Sequence, residues 1–281
     1  MPSEIPGGGD LGDVIELIEE AGQLLLSHPA ASLNVEHKGF RDLVTAADLS
    51  SEKLILEGIQ RLFPDDSILA EEAGSVVSHG ARCWIIDPLD GTTNYSHRHP
   101  FYCVSAGLVD AEGPVAAVTH SPVLGLSWFA IRNGGSWQRD RSTGLATQLR
   151  MKSCPQLSQA LLATGFSYQR RELDHGALEV FGSLLKTARE IRRGGSACLD
   201  LAFTAAGIFQ GFWEFHLAPH DVAAGCLLVR EAGGIVTDSS GQDDWLHGGS
   251  IVAATADLHP LLLDSVRSAT PPQVPHQRDL R

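Results

Sequence analysis

The sequence predicts an α/β fold, with an α+β arrangement in the N-terminal half and alternating helices and strands in the C-terminal half. In the first half, two amphipathic helical patterns come before residue 63, and strand-like alternation separated by Gly, Pro and Asn turns follows over 103–131. After residue 160, helical patterns and apolar extended runs follow one another in turn. This alternation is typical of a sheet covered by helices.

A change of pattern near residue 150 suggests how the chain is divided. We expect an N-terminal α+β domain over 1–150, which carries most of the candidate metal ligands, and a C-terminal α/β domain over 151–268. The last segment, 269–281, is polar with three prolines, which is typical of a disordered tail.

The elements of the N-terminal half can be placed in order. Asp10 caps a helix whose apolar residues fall on one face, and a second amphipathic helix leads from Asp48 to Pro64, which ends it. A short strand over 67–70 and a buried strand over 84–86 come next, followed by the antiparallel meander. The C-terminal half is predicted as a strand at 160–165, a helix at about 175–188, an edge at Ile191, a helix at 196–206, a strand at 211–215, a helix at 222–231, and strands at 235–237 and 251–254.

Composition and charge restrict the class of protein. A chain of 281 residues can form one large or two modest domains with a substantial core. Its formal net charge of −13 argues against a protein that coats nucleic acid or an anionic membrane, and it suits a site that binds cations. The five cysteines are scattered without a Cys-x-x-Cys pair, which indicates buried thiols in a reducing compartment. Without a signal-like N-terminus or an apolar run of transmembrane length, we expect a cytoplasmic protein.

The stretch 84–94 carries the strongest chemical signal. A buried apolar run stops at Asp87, Pro88 interrupts the strand ladder, and Gly91 permits a tight turn. The polar residues 92–94 can begin a helix, which leaves backbone N–H groups that bind a phosphate.

Asp87 and Asp90 stand beside this predicted phosphate site. Two like charges about 4 Å apart repel by about 4 kcal/mol even at an effective dielectric constant near 20, so acids next to a phosphate require cations between them. Oxygen ligands favour Mg²⁺. Taken alone, an ordinary turn followed by a capped helix explains this stretch equally well. A calcium loop is excluded, because the twelfth position from Asp87 is Arg98 instead of Glu.

Further positions have both an ordinary and a functional interpretation. Asp48 starts the second helix, where capping is the more common role. Glu71 follows a strand and is either solvated or a ligand, and Asp221 begins a helix as either a cap or a ligand. Gly195 and Ser196 start another helix and either cap it or face an anion or a hydroxylated ligand.

Together, these motifs resemble the inositol monophosphatase family of magnesium-dependent phosphatases along most of the chain, in particular its bacterial inositol-1-monophosphatases. One signature of the family is present at 84–94, and the other at 220–225 with 231–234 after it. Supporting matches are 42–45 before Asp48, 70–72, 191–193 before 195–197, and 213–214. The resemblance implies a layered α-β-α-β-α sandwich of the inositol monophosphatase and fructose-1,6-bisphosphatase type.

The resemblance also implies roles for individual residues. Two or three Mg²⁺ ions would be held by Glu71, Asp87, the carbonyl of Leu89, Asp90 and Asp221. The phosphate would contact the backbone at Gly91 and Thr92 and the side chain of Lys38. Glu71 and Thr92, with Asp48 hydrogen-bonded to Thr92, would activate a water. Substrate hydroxyls would contact Asp90, Gly195, Ser196, Ala197 and Glu214.

The implied activity is hydrolysis of inositol monophosphate, a small phosphorylated polyol, by direct attack of a metal-activated water. The family resemblance further implies a lithium-sensitive homodimer that uses neither nucleic acid nor a membrane. The first alternative is a related phosphatase of fructose-1,6-bisphosphate, adenosine 3′,5′-bisphosphate or histidinol phosphate, and the second is a non-catalytic regulatory member of the fold. The chain departs from the family at His220, where Trp is usual, and at Ala70, where Gly is usual.

Overall fold

The computed structural model describes residues 3–28, 36–37, 43–44, 46–76, 80–167 and 176–269. Within these residues the α-helices are α1 (Leu11–Ser27), α2 (Ala46–Leu62), α3 (Thr92–Ser96), α4 (Ala177–Thr187), α5 (Ala197–Ala205), α6 (Pro219–Glu231) and α7 (His259–Ala269). The strands are β1 (Glu36–His37), β2 (Leu43–Val44), β3 (Ser67–Ala70), β4 (Gly74–Val76), β5 (Cys83–Asp90), β6 (Cys103–Asp110), β7 (Gly113–Ser121), β8 (Leu126–Ile131), β9 (Gly135–Asp140), β10 (Ala146–Gln148), β11 (Leu161–Thr164), β12 (Glu190–Arg192), β13 (Gly211–Phe215), β14 (Gly234–Thr237) and β15 (Ser250–Thr255).

The described elements stack in alternating layers of helices and sheets. Helices α1 and α2 cover one face of a sheet with strand order β10-β9-β8-β7-β6-β5-β3-β4, and α5 and α6 cover its other face. A second sheet, of order β12-β11-β13-β15-β14, lies beyond α5 and α6, and α4 and α7 form the outer layer. This arrangement is the expected α-β-α-β-α sandwich, so the α/β fold class is confirmed.

Hydrophobic cores fill the spaces between the layers, and strands such as β8 and β13 serve two of them because their side chains alternate between faces. In β8, Phe129 packs in the core with α1 and α2, whereas Trp128 packs with α5 and α6. In β13, Phe212 packs with α5 and α6, whereas Trp213 packs in the core that includes α4 and α7. Each large apolar side chain buried in this way contributes about 1.5–3 kcal/mol by leaving water.

The first helices follow their sequence signals closely. Asp10 is the N-cap of α1, where its carboxylate accepts a hydrogen bond of 2.7 Å from the Gly12 N–H. The apolar stripe of α1 is buried as predicted, and α2 ends at Leu62, just before Pro64. Asp48 lies inside the first turn of α2, so it does not occupy the N-cap position that its sequence context favours.

A parallel pair of strands brings the first acids to one edge. Strands β3 and β5 run parallel, with Ala70 opposite Ile86, in a sheet whose other described neighbours are antiparallel. The carboxyl ends of parallel strands meet at the same edge of a sheet. Glu71, which follows β3, therefore stands beside Asp87 of β5. The register of β5 against β6 shifts between Asp87 and Asp90, where Pro88 interrupts the ladder as expected.

Helix α6 approaches the first sheet very closely. A Cβ atom placed on Gly107 of β6 would lie 2.8 Å from the backbone nitrogen of Ala224, so only glycine fits beneath this helix. Helix α6 also packs against β14 and β15 of the second sheet. The segment that carries Asp221 is therefore held between the two sheets.

Several elements differ from the sequence prediction. Strands β4, β9 and β10 and helix α7 are not predicted, and α6 begins at Pro219 instead of residue 222. The proline is compatible with the first turn of a helix, where its missing N–H has no intrahelical partner. The division into domains near residue 150 stays a prediction. Residues 270–281 of the predicted tail lie outside the described residues, as does Lys38.

Candidate active site

Carboxylates from distant parts of the chain converge at the edge where β3 and β5 end. Oxygen atoms of Asp87, Asp90 and Asp221 all lie within 4.8 Å of one another. Glu71, Asp87 and His220 form a second group whose ligand atoms also lie within 4.8 Å of one another. Asp87 belongs to both groups, so the two clusters form one continuous site. The family resemblance implies all four acids here, whereas His220 stands out in the sequence only as a departure from the family pattern.

This concentration of acids perturbs their ionisation. Burial, followed by the charges of Glu71, Asp90 and Asp221, raises the pKa of Asp87 well above its usual value. Burial and the charge of Asp221 raise the pKa of Asp90 to about 6. Ionised carboxylates at this spacing need positive charge between them. Carboxylate oxygens with one imidazole are a donor set that divalent cations accept, so these residues fit the metal that the sequence motifs imply.

Asp90 and Asp221 are each held in place by hydrogen bonds through one oxygen. Asp90 Oδ2 accepts 2.6 Å from the Ser196 hydroxyl and 2.7 Å from the Cys198 N–H at the start of α5. Asp221 Oδ2 accepts 2.6 Å from the Ala218 N–H, which precedes α6. Both residues thus organise a helix start. The sequence leaves open whether Asp221 is a helix cap or a metal ligand. This arrangement shows that one side chain can act as a cap and still be a potential ligand.

Thr92 and Asp48 form a polar pair beside the acids. The Thr92 hydroxyl lies 3.2 Å from Asp48 Oδ1 and 3.1 Å from the carbonyl oxygen of Leu89. A hydroxyl has a single proton to donate, so these two acceptors share one hydrogen bond. The Asp48 side chain is buried at 1% exposure, although it comes from the first turn of α2. The contact joins α2 to α3, and it leaves the Thr92 oxygen able to accept a hydrogen bond.

Gly91 shapes the turn between β5 and α3. Its φ of 95° lies in the left-handed region that glycine adopts without strain. A Cβ atom on Gly91 would also lie 3.1 Å from the carbonyl oxygen of Phe101 and 3.3 Å from that of Gly195. The turn places the N–H groups at the start of α3 next to the acid cluster, as the stretch 84–94 predicts. Backbone conformation and crowding both require glycine here.

The start of α5 forms another side of the site. Ser196 is the N-cap of α5 and accepts from the Leu199 N–H, which confirms the ordinary interpretation of this Gly-Ser start. Its hydroxyl also donates to Asp90, so the same residue reaches the acid cluster. Gly195 and Ala197 flank it in the chain. Asn94 fastens this segment, because its side-chain amide donates to the carbonyl of Gly194 at 3.0 Å.

Glu214 lies on β13 beyond α5. Burial, followed by the charge of Asp221, raises its pKa well above the usual value, while the positive charge of Arg193 lowers it. A Cβ atom on Gly165 would lie 2.1 Å from Glu214 Oε2, so the missing side chain at Gly165 makes room for this carboxylate. Asp200 is a further buried acid close by, whose pKa is raised by burial and then by the charge of Glu214.

Two buried thiols lie next to Asp90. Cys103 and Cys198 lie with Asp90 in a third group of atoms within 4.8 Å of one another. Their shared hydrogen bond and their burial raise the pKa of Cys198 well above its usual value, and burial raises that of Cys103. The two thiols also pack in the core between the sheets, where both side chains are fully buried. All five cysteines are free thiols, and all but the partly buried Cys83 are buried.

The sequence analysis gives no role to several residues that support the site. Glu52 accepts 2.8 Å from the Glu72 N–H and so fixes the backbone beside Glu71. Asn94, Gly165 and Asp200 make the contacts described above. Their partners lie far away in the sequence, so no local pattern identifies them.

The chain is similar to known proteins along most of its length. A model of the inositol monophosphatase family matches residues 13–270. The chain belongs to the inositol monophosphatase family. An inositol-1-monophosphatase of Synechocystis is 39% identical over 261 residues, which are 91% of this chain and 88% of that protein. A protein of Pseudomonas aeruginosa named Nus factor SuhB is 36% identical over 247 residues, or 86% of this chain and 89% of that one.

Solved structures of the inositol monophosphatase family match the fold as well. The extragenic suppressor protein suhB of Bartonella henselae superimposes with a TM-score of 0.84 at 32% identity, over 92% of this chain and 98% of that chain. An IMPase of Thermotoga maritima superimposes with a TM-score of 0.81 at 30% identity, over 92% of this chain and 97% of that one. Family membership supports a phosphatase with a phosphorylated substrate and an acidic site that could bind metal. None of the described helices has the length and apolar character needed to cross a membrane.

Proposed function

We propose that the protein is a Mg²⁺-dependent phosphate monoesterase that hydrolyses inositol monophosphate to inositol and phosphate. The observation that carries this proposal is the convergence of Asp87, Asp90 and Asp221, with Glu71 beside them, from separate elements of the fold. The raised pKa values of Asp87 and Asp90 indicate a cluster built for cations.

In this proposal, Glu71, Asp87, the carbonyl of Leu89, Asp90 and Asp221 hold two or three Mg²⁺ ions. Bound Mg²⁺ supplies neutralisation of the phosphoryl charge and activation of water. The protein contributes a rigid ligand frame, because hydrogen bonds to helix starts already fix Asp90 and Asp221. Such preorganisation avoids reorganisation during the reaction.

Thr92, Asp48 and Glu71 are the groups that would orient the attacking water, and the carboxylates among them would receive its proton. The Thr92 hydroxyl donates towards Asp48, so its oxygen can accept a hydrogen bond from water. Glu71 presents a partly exposed carboxylate next to Asp87. A group that accepts the proton during attack typically contributes a factor of about 10² to 10⁴ in rate. The phosphoryl group would contact the backbone of Gly91 and Thr92, with Lys38 as a cationic partner.

The substrate hydroxyls would contact Asp90, Gly195, Ser196, Ala197 and Glu214. A polyol suits these groups, since carboxylates and a serine hydroxyl form directional hydrogen bonds with neighbouring hydroxyls. Glu214 stands in the space left by Gly165, so its carboxylate has a defined position at the far side of the acid cluster. These hydrogen-bond acceptors favour a substrate with an uncharged polyol over one with a second phosphate group, which the carboxylates would repel.

Phosphate release from a substrate panel tests the proposal. Purified protein would be incubated with inositol monophosphate, fructose-1,6-bisphosphate, adenosine 3′,5′-bisphosphate and histidinol phosphate, each with Mg²⁺ and with EDTA. We expect Mg²⁺-dependent release with the highest kcat/KM for inositol monophosphate. A clear preference for another substrate would assign the protein to the corresponding related phosphatase and contradict the proposed specificity.

A non-catalytic regulatory role is a second candidate, because relatives of similar identity bear the name Nus factor SuhB. The presence of Glu71, Asp87, Asp90, Thr92 and Asp221 in one site favours catalysis. Absence of Mg²⁺-dependent turnover with every substrate in the panel would favour the regulatory role. Lithium inhibition and a homodimer follow from the family resemblance as predictions. The first can be read from the phosphate assay and the second from light scattering.

A further inference from the structure

His220 lies against the metal-ligand cluster, although neither the composition nor the family signature gives it a role. Its Nε2 atom is 3.9 Å from Glu71 Oε1, and the His220 side chain is 20% exposed. One ligand atom each of Glu71, Asp87 and His220 lie within 4.8 Å of one another. The imidazole therefore faces the same space as two of the proposed metal ligands.

The start of α6 explains how neighbouring residues reach two parts of the site. Pro219 and the bond from the Ala218 N–H to Asp221 fix the first turn of this helix. Consecutive residues of a helix point about 100° apart. Asp221 is thereby directed to Asp87 and Asp90, whereas His220 is directed to Asp87 and Glu71. Asp87 is therefore close to both His220 and Asp221.

The distances suit a shared ion. Two ligands that each bind one ion at about 2.1 Å can be at most about 4.2 Å apart, when they lie on opposite sides of it. The separation of 3.9 Å between His220 Nε2 and Glu71 Oε1 is within this limit. The separation is also longer than that of a direct hydrogen bond.

We propose that His220 Nε2 is a nitrogen ligand of the divalent ion held by Glu71 and Asp87. The site would then have two unlike positions that share Asp87: one with nitrogen and oxygen ligands, and one with oxygen ligands from Asp87, Asp90 and Asp221. Imidazole favours transition-metal ions, whereas carboxylates and water suit Mg²⁺. The position next to His220 therefore prefers Mn²⁺ to Mg²⁺. This inference rests on the proposed function, which places divalent ions in the cluster.

Pulsed electron paramagnetic resonance of bound Mn²⁺ tests the nitrogen ligand directly. The full-length protein, stripped with EDTA and loaded with less than one equivalent of Mn²⁺, would be compared with His220→Asn and with the control His247→Asn, which removes an exposed imidazole. We expect ¹⁴N modulation of the Mn²⁺ signal in the unmodified protein and in the control, and its loss in His220→Asn. Labelling histidine with ¹⁵N should change the modulation without any substitution, which keeps the test valid if a variant folds poorly.

Calorimetric titration gives a second measurement. Loss of the nitrogen ligand should weaken Mn²⁺ binding at this position by about tenfold or more, since even the loss of an outer partner of a metal ligand costs 10- to 100-fold. Mg²⁺ binding should change much less. Circular dichroism and thermal melting would establish that His220→Asn is folded.

Bound Mn²⁺ without ¹⁴N modulation, or with modulation that persists in His220→Asn, would overturn the inference. The proposed function is tested separately by the same samples. A protein that shows the nitrogen ligand and yet releases no phosphate from any substrate would retain the inference and lose the proposed function. A protein that binds no divalent ion would contradict both.

Discussion

Replacing Asp90 by Asn should abolish phosphatase activity and at the same time stabilise the metal-free protein. The pKa of Asp90 is raised from 3.8 to about 6, first by burial and then by the charge of Asp221. A shift of about two pKa units corresponds to about 3 kcal/mol by which ionisation of this group destabilises the folded state. This pKa shift already includes the stabilising effect of the hydrogen bonds that Asp90 accepts from Ser196 and Cys198. An Asn side chain can still accept both hydrogen bonds.

Solvent at the partly exposed Asp90 carboxylate screens part of this effect, so we expect a gain of about 1–3 kcal/mol in the free energy of unfolding near pH 7.5. In a chain of this size, 1 kcal/mol corresponds to roughly 2–4 °C in Tm. Thermal melting in EDTA would measure the gain. The control Asp264→Asn removes an equal charge from an exposed position of α7 and should leave Tm unchanged. Saturating Mg²⁺ should reverse the order, because an ion that binds only the folded unmodified protein stabilises it.

The pH dependence follows from the same shift. The pKa of Asp90 is higher in the folded state than in the unfolded chain, so the folded state binds more protons between about pH 4 and pH 6. The contribution of Asp90 to the stability of the metal-free protein should therefore rise as pH falls through 6, and Asp90→Asn should lack this contribution. An Asp90→Asn variant that is no more stable than the unmodified protein in EDTA would show that ionised Asp90 does not destabilise the folded state, and it would contradict the raised pKa of this group.

Three further substitutions separate the parts of the site. Gly165→Ala places a Cβ atom 2.1 Å from Glu214 Oε2. It should raise KM for inositol monophosphate by about tenfold, the equivalent of one hydrogen bond, and leave Mg²⁺ affinity unchanged. An unaltered KM would show that Glu214 does not contact the substrate. Thr92→Val should lower kcat by about 10² to 10⁴ in phosphate-release assays while calorimetry shows Mg²⁺ binding retained, and near-normal turnover would contradict its role. Gly107→Ala should lower the free energy of unfolding, measured in urea, by about 1–3 kcal/mol and weaken Mg²⁺ binding, because the new methyl group meets the backbone of α6. Gly182→Ala is its control, because a methyl group there has no neighbouring atom within 4 Å.

Local signals in the sequence predict much of the fold and the centre of the site. The cap at Asp10, the end of α2 near Pro64 and the interruption of β5 at Pro88 depend on residues within one turn of each other. The chemistry of Asp87 and Asp90 is also local, because the two residues share a strand end. Short strands such as β10 carry too few alternating residues to be recognised.

Contacts between distant segments are harder to predict. The resemblance to a known family associates Asp221 with Asp87, whereas no periodicity in the sequence does so. The structure confirms that the two residues lie together. Gly165 has meaning only because Glu214 occupies the adjacent space, and Glu52 matters only through the backbone of Glu72. The role of Lys38 stays a prediction, since it lies outside the described residues.

The close fit of α6 bears on how this protein could be redesigned. Ala224 of α6 meets Gly107 of one sheet, and on the opposite side a Cβ atom on Gly225 would lie 2.5 Å from Leu201 of α5. The backbone beneath Asp221 consequently has little freedom to adapt to altered neighbours. Directed evolution towards new substrates should accumulate changes around Gly165 and Glu214, where the atoms nearest to an added Cβ belong to a side-chain carboxylate, and leave the buried middle helices untouched.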